Sequence, residues 1–373
     1  MSDSLFISAG EFSGDQHGAD VARLLKKSEP SMALFGLGGD ALKAAGVTLV
    51  EHNNRLAFMG LGEVMRNYYF LKKVMKRILN EVDLRKPEAA LLIDYPGFNM
   101  RLARALKKRG IKVYYYISPK FWAWNRRRLK ALRATVDQML VIFPFEVALL
   151  QEQSISARYV GNPLVEQVQR AQAAPREFVP WDEGKRIALL PGSRKQEVER
   201  ILPVLAEAAI RIERRIKCTC VIAVPSLYIA EVIHRMDLPG EIKIMIGHTP
   251  AVVEQADAAW VASGTATLEA ALLNTPHVLV YRTGALTYRF AKAVLDISYV
   301  GLVNLLANHE VCPELIQEEA YPEALIDRLL PLLEEGAPRR QMLEGFELIR
   351  ETLGDQPCAI TVAQQVLKAY SAG

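Results

Sequence analysis

Two carboxylates in this chain follow directly on apolar runs that read as buried strands. Residues 89–93, Ala-Ala-Leu-Leu-Ile, are followed by Asp94 and then by Tyr95-Pro-Gly-Phe-Asn99. A carboxylate there can act as a general base that takes the proton of an attacking hydroxyl. Its competing use is to cap the helix after Phe98. The first apolar run, 5–9, ends in Gly10-Glu-Phe-Ser-Gly-Asp15. Those glycines let backbone approach a ligand, and Ser13 or Asp15 suits a helix cap. A capped turn needs no acid at Glu11.

A second kind of chemistry is written into two later loops. Pro191-Gly192-Ser193-Arg194 and Ser263-Gly264-Thr265-Ala266-Thr267-Leu-Glu269 each follow an apolar run. Small residues at a helix start present backbone N–H groups to an anion, and a guanidinium neutralises it, so both loops suit a diphosphate. The loop Gly36-Leu-Gly-Gly39 resembles part of a dinucleotide fingerprint but lacks its third glycine. Ser118-Pro-Lys-Phe-Trp122-Ala-Trp124 closes another strand with two tryptophans, suited either to a sugar or acyl group or to packing between domains. No Gly-x-x-x-x-Gly-Lys-Ser/Thr loop is present, so P-loop hydrolysis is disfavoured. No Asp-x-Asp or histidine cluster offers a metal site.

The positions of these loops follow from the pattern around them. Apolar runs at 5–9, 33–36, 89–93, 113–117 and 138–143 read as strands, with helical patterns between them such as 100–108. The pattern pauses near 160–184 and restarts with strands at 186–190, 218–224, 242–246, 258–262 and 277–281 and helices at 197–215, 226–237 and 265–273. Strands alternating with helices predict parallel sheets covered on both faces, hence two doubly wound α/β domains. Ligands of such sheets bind beyond the carboxyl ends of strands, so the cleft between two such domains is the expected site.

Composition narrows the class further. Half of the 373 residues are apolar and 24% are charged, as in ordinary globular proteins. The net charge is only +4, yet no acid occurs between Asp94 and Asp137, where twelve Lys and Arg lie. That basic surface is either a solvated face or a contact for anionic lipid or nucleic acid. Cysteines at 218, 220, 312 and 358 lack metal-ligand spacing and read as reduced thiols of a cytosolic protein. The N-terminus lacks a signal-peptide pattern, and no run of about 18 apolar residues exists to span a bilayer.

Residues 64–82 are the clearest candidate for a surface device. Leu71, Val74, Met75, Ile78 and Val82 recur at helical spacing behind Tyr68, Tyr69 and Phe70, interleaved with Arg66, Lys72, Lys73, Lys76 and Arg77. This is either a core-facing helix with a solvated back or a basic amphipathic helix resting on anionic lipid.

Taken together, these loops resemble the lipid-A-disaccharide synthase family. The likeness runs from about Leu5 to beyond Glu314 and adds Met59-Gly-Leu-Gly-Glu-Val64, Asn304-Leu-Leu and Pro313-Glu-Leu-Ile-Gln317 to the loops above. The resemblance implies a GT-B fold, two Rossmann-like domains facing a cleft. It places an acceptor and membrane domain over 1–163, a UDP-sugar domain over 164–349 and a final helix, about 350–373, crossing back to the first. It implies an inverting, metal-independent transfer, with no cofactor, from UDP-2,3-diacylglucosamine to 2,3-diacylglucosamine 1-phosphate. The expected location is the cytoplasmic face of the inner membrane, with no nucleic-acid partner and a homodimer as one option. Catalysis is expected of Asp94 with Glu11, and donor binding of the two anion loops with Tyr281, Asn304 and Gln317. Acceptor or membrane contact is expected of Tyr69, Phe70, Leu71, Lys72, Lys73, Met75, Lys76, Arg77, Trp122 and Trp124. The alternatives are another UDP-sugar transferase or epimerase of the same fold and, more distantly, a nonenzymatic nucleotide binder at the membrane. Two positions depart from the family pattern: Gly97 stands for a second Asp, leaving Asp94 as that loop's sole acid, and Val303 stands for a Pro before Asn304.

Overall fold

The computed structural model describes residues 4–54, 68–119, 126–284, 288 and 299–371. The chain divides into two compact units, one formed by 1–163 with 355–373 and the other by 164–354.

The first unit is built on seven strands, β1 (Ser4–Ala9), β2 (Ala33–Gly38), β3 (Thr48–His52), β4 (Ala89–Ile93), β5 (Lys112–Tyr116), β6 (Gln138–Val141) and β7 (Ala157–Tyr159). All pair in parallel, in the order β3-β2-β1-β4-β5-β6-β7. Its helices are α1 (Phe12–Ser28), α2 (Asp40–Ala44), α3 (Tyr68–Arg85), α4 (Pro96–Lys107), α5 (Arg126–Thr135) and α6 (Pro144–Gln151). Two of these strands, β3 and β7, lie beyond the five expected from sequence. Both are short, half-exposed edges, so neither shows the continuous apolar run that marks a central strand.

Alternation along β1 builds two cores. Leu5, Ile7 and Ala9 face Val21, Ala22 and Leu25 of α1, whereas Phe6 faces Val74 and Ile78 of α3 and Leu102 and Leu106 of α4. The apolar stripe of α3 is therefore spent on the core.

Helix α7 (Pro163–Ala173) precedes the second unit's sheet. There β8 (Lys185–Leu190), β9 (Cys218–Val224), β10 (Lys243–Ile246), β11 (Ala258–Ala262), β12 (His277–Tyr281) and β13 (Glu314–Ile316) pair in parallel in the order β10-β9-β8-β11-β12-β13. Around them run α8 (Lys195–Glu213), α9 (Leu227–His234), α10 (Thr249–Gln255), α11 (Thr265–Leu272), α12 (Leu302–Ala307), α13 (Pro322–Leu333) and α14 (Ala337–Leu353). Trp260, fully buried on β11, donates its indole N–H to the Leu325 carbonyl of α13 at 3.0 Å. The last helix, α15 (Cys358–Ser371), belongs to the first unit, where Val362, Ala363 and Val366 join the core beside α1. No helix among the described residues is long and apolar enough to cross a membrane.

Candidate functional site

Each sheet reverses its direction of growth once. In the first unit the reversal falls between β1 and β4, in the second between β8 and β11. Such switch points open a crevice beyond the carboxyl ends of the two strands, because the connections leave to opposite sides. Glu11 and Asp94 fall at the first, and the two anion loops at the second.

At the first switch point Ala9 pairs with Ile93, so the next residues, Gly10-Glu11 and Asp94-Tyr95, leave the sheet side by side. Glu11 is exposed and occupies the N-cap position of α1, but its side chain makes no capping bond. The expectation that Ser13 or Asp15 caps α1 is corrected, since that helix begins at Phe12 and has no side-chain cap. Asp15 is buried and accepts from the backbone N–H groups of Gly39 (2.6 Å) and Ala41 (3.0 Å), capping α2 instead. Gly39 is thereby explained, since a Cβ there would lie 2.7 Å from the Asp15 carboxylate. At Gly36 a Cβ would lie 1.8 Å from the Ile7 carbonyl oxygen, so this glycine serves strand packing.

Asp94 is half-buried and is not the cap of α4; that position is Tyr95, again without a side-chain bond. Both residues hold left-handed backbone, with φ of 44° and 49°. Such a conformation costs about 1–3 kcal/mol per non-glycine residue and persists only where surroundings enforce it. Here the Asp94 carbonyl accepts from Asn99 Nδ2 at 2.8 Å and from the Tyr115 hydroxyl at 2.7 Å, and the Asp94 N–H donates to the Tyr116 carbonyl at 2.9 Å. Asn99 is in turn fixed by Ser8, whose hydroxyl donates to Asn99 Oδ1 at 2.7 Å inside the core. Burial, and secondarily the charge of Glu11, pushes the Tyr95 phenol above its ordinary pKa, so it stays protonated. Sequence reasoning assigns no role to Ser8, Tyr95, Asn99 or Tyr115. Ser8, a polar residue inside an apolar strand, is the available signal.

At the second switch point Val261 pairs with Leu190, which brings the two anion loops together. Gly192 has φ of 115°, and Arg194, exposed, is the N-cap of the 19-residue α8. Ser193 is exposed and donates its backbone N–H to Glu197 Oε2 at 3.1 Å. Gly264 is the N-cap of α11, Thr265 is exposed and Ala266 half-buried. The aligned peptide dipoles of α8 and α11 add positive potential at these ends. Glu269 is partly buried, and desolvation raises its carboxyl pKa. Tyr281 ends β12, half-buried.

Three residues expected to contact the donor are buried and bond within the chain. Asn304 donates to the Cys312 carbonyl (2.7 Å) and to Glu314 Oε1 (2.9 Å) and accepts from the N–H groups of Val311 (2.8 Å) and Cys312 (2.9 Å), which fills its amide's capacity. Gln317 pairs both ways with the Thr283 backbone, at 2.8 and 3.2 Å. Thr267 donates to the Gly264 carbonyl at 2.8 Å. Ser263, less buried than these three, donates to the Val300 carbonyl at 3.5 Å.

The expected lipid contacts divide. Tyr69 is 79% exposed, and Lys72, Lys73 and Lys76 are exposed along α3. Phe70, Leu71 and Met75 pack against the core, which corrects their reading as a membrane face: their stripe continues Val74 and Ile78. Arg77 is paired with the buried Glu51. Trp122 and Trp124 lie outside the described residues. Among the described residues no group of three or more His, Cys, Asp or Glu side chains stands where a metal could be held.

Two doubly wound parallel α/β units define the GT-B class. Solved structures of that architecture superpose accordingly. The calicheamicin glycosyltransferase CalG4 matches with a TM-score of 0.61 at 13% identity, over 99% of this chain and 98% of that one. UDP-GlcNAc 2-epimerase from Neisseria meningitidis matches with 0.59 at 10%, over 98% and 99%. At such identities the likeness concerns fold alone. Sequence comparison is more specific. The lipid-A-disaccharide synthetase family matches residues 5–365. Lipid-A-disaccharide synthase of Myxococcus xanthus strain DK1622 is 40% identical over 99% of this chain and 98% of its own length. That of Coxiella burnetii strain Dugway 5J108-111 is 35% identical over 97% of each. The chain belongs to the lipid-A-disaccharide synthase family and is an enzyme of the glycosyltransferase class.

Proposed function

We propose that the chain condenses UDP-2,3-diacylglucosamine with 2,3-diacylglucosamine 1-phosphate, giving the β-1,6-linked disaccharide 1-phosphate and UDP. The carrying observation is that each sheet presents complementary chemistry at its own switch point, carboxylates at β1/β4 and anion loops at β8/β11. Asp94, with Glu11 on the neighbouring strand end, takes the proton of the acceptor's 6-hydroxyl. That oxygen attacks the donor's anomeric carbon as the bond to the UDP oxygen breaks, so the configuration inverts. Arg194, Gly192 and Ser193, with Gly264, Thr265 and Ala266, stabilise the charge on departing UDP, which a guanidinium and helix N-termini can do without a metal. Glu269 of α11 and Tyr281 at the end of β12 border the donor. Thr267 and Ser263 hold the loop at 263–267, while Asn304 and Gln317 brace the chain at 311–314 and at Thr283.

Lipid A precursors carry acyl chains, so the enzyme works beside a membrane. We place Tyr69 and the exposed lysines of α3 against the anionic cytoplasmic face of the inner membrane, with a homodimer as a further expectation. An epimerase reading shares the fold but has no support in the family match. The test mixes purified protein with both acylated substrates and follows disaccharide and UDP by mass spectrometry. Stoichiometric formation of both supports the reading. UDP release without disaccharide, or neither product, sinks it.

A further inference from the structure

We propose that Tyr95 is a positioning residue for the transfer reaction: its ring, seated on Gly10, props the left-handed loop that aims Asp94. The proposal rests on the reading of Asp94 as the base, and three observations carry it.

The first is the fit between the two strand ends. A Cβ built on Gly10 would lie 2.2, 2.5 and 2.7 Å from Tyr95 Cδ1, Cγ and Cε1. The aromatic ring therefore lies on the Gly10 Cα. Gly10 is not among the residues with positive φ, so its backbone is one that an alanine adopts without strain. The glycine is required by the ring and not by a turn.

The second is that the loop is held by a polar clamp and by ring packing together. The Asp94 carbonyl and N–H are fixed from the β5 and α4 side by Tyr115, Asn99 and Tyr116. The Tyr95 carbonyl accepts the N–H groups of Phe98 and Asn99 as α4 begins. On the β1 side, Asn99 is tied to Ser8, and the Tyr95 ring rests on Gly10. The ring adds packing against β1 to a strained turn whose polar groups the clamp holds.

The third is that Tyr95 ties the two carboxylate loops to each other. Ala9 pairs with Ile93, so Glu11 and Tyr95 are each two residues beyond that pair. The charge of Glu11 is felt by the Tyr95 phenol, which is also tilted against Phe98 with ring centroids 6.2 Å apart. A shift of this ring moves both loops at once.

The prediction is specific to shape. Tyr95→Ala lowers kcat by about tenfold to a hundredfold, since displacement of a catalytic group by roughly 1 Å has that effect. The affinity for UDP, which belongs to the other unit, is unchanged. Tyr95→Phe keeps the ring and retains kcat near the wild-type value. Gly10→Ala, with Tyr95 in place, reproduces the loss by pushing the ring away, yet it is nearly silent when added to Tyr95→Ala. The experiment measures kcat, KM and calorimetric UDP affinity for the four members of this cycle and for Tyr95→Phe, with circular dichroism to verify folding. Strong coupling of Gly10→Ala to Tyr95, with a fall confined to kcat, supports the proposal. Additive losses overturn it, as does a Tyr95→Phe variant as slow as Tyr95→Ala. An Asp94→Asn enzyme with wild-type kcat sinks the base assignment and the proposal with it, whereas a slow Asp94→Asn enzyme beside additive losses in the Gly10–Tyr95 cycle overturns the proposal alone.

Discussion

Asn99 donates its side-chain amide to the backbone carbonyl of Asp94 at 2.8 Å from within the core, and the Asp94 turn depends on that bond. The same amide reaches the Ile93 carbonyl at 3.1 Å, while Oδ1 accepts from Ser8. Asn99→Ala strands buried partners, at about 1–3 kcal/mol of stability. It also frees a left-handed turn that carries the proposed base. Turnover is expected to fall with it. Asp94→Asn, by contrast, leaves this backbone network in place. Loss of a general base costs roughly 10²–10⁴-fold in rate. The expected signature is a slow enzyme with an unchanged melting temperature, set against a slow and less stable Asn99→Ala. If Asp94→Asn turns over at the wild-type rate, Glu11 becomes the leading base.

Arg194→Ala tests the donor side. The exposed guanidinium sits at the N-cap of α8 beside Gly192 and makes no side-chain capping bond. A charged hydrogen bond to diphosphate contributes about 1.5–3 kcal/mol, so UDP affinity should fall roughly ten- to hundredfold. Transfer should slow with it, because the contact persists as UDP leaves. Calorimetry that returns wild-type UDP affinity removes Arg194 from the site.

The alternation of apolar runs and helical patterns is enough to predict two parallel α/β domains, and strand ends are enough to single out Glu11, Asp94 and Arg194 as candidates. Central strands announce themselves because both faces are buried; β3 and β7 do not, since edge positions leave them half-exposed. Both candidate donor loops do follow strands, but the direction of individual side chains is beyond the sequence. Asn304 and Gln317 have the polarity of ligand contacts, and only their placement reveals that Asn304 is saturated by Val311, Cys312 and Glu314 and that Gln317 pairs with the Thr283 backbone. On α3, periodicity identifies the apolar stripe without saying what covers it, and the core does. The Gly10–Tyr95 contact joins residues whose types alone give no hint that they meet.

Acid stability should carry the mark of His277. This residue is fully buried at the start of β12, stacks on Phe346 at 5.5 Å and interacts through Nδ1 with the Thr275 carbonyl at 3.0 Å. Its Nε2 has no hydrogen-bond partner among the described residues, and burial lowers its pKa to about 4. The unfolded chain, with histidine near 6.5, binds the proton first as pH falls. Stability contributed by the neutral ring is thus complete above about pH 6.5 and is lost progressively down to about pH 4. Each tenfold difference in proton affinity between the folded and unfolded chain corresponds to about 1.36 kcal/mol, so the loss approaches roughly 3 kcal/mol. His277→Phe keeps a flat ring for the stack and cannot protonate. Its melting temperature should fall less than that of the wild type between about pH 7 and about pH 4.5. Parallel curves for the two proteins would contradict the assignment.

The membrane reading now separates into parts that can be tested apart. Tyr69, Lys72, Lys73 and Lys76 face outward on α3, while Phe70, Leu71 and Met75 serve the core. Each lysine near an anionic bilayer contributes about 1 kcal/mol, and the attraction is screened by salt. Reversing the three lysines to Glu should abolish most co-sedimentation with phosphatidylglycerol vesicles at low salt, with no change in UDP affinity. Tyr69→Ser should weaken the binding that survives high salt, because insertion of an aromatic ring is not screened. Neither change touches the core, so the melting temperature should hold. Leu71→Ser is the control with the opposite signature. It places a hydroxyl against a packed apolar layer, and its melting temperature should drop while vesicle binding of the folded fraction persists. Wild-type vesicle binding by the triple Lys→Glu variant would move the membrane contact off α3 altogether.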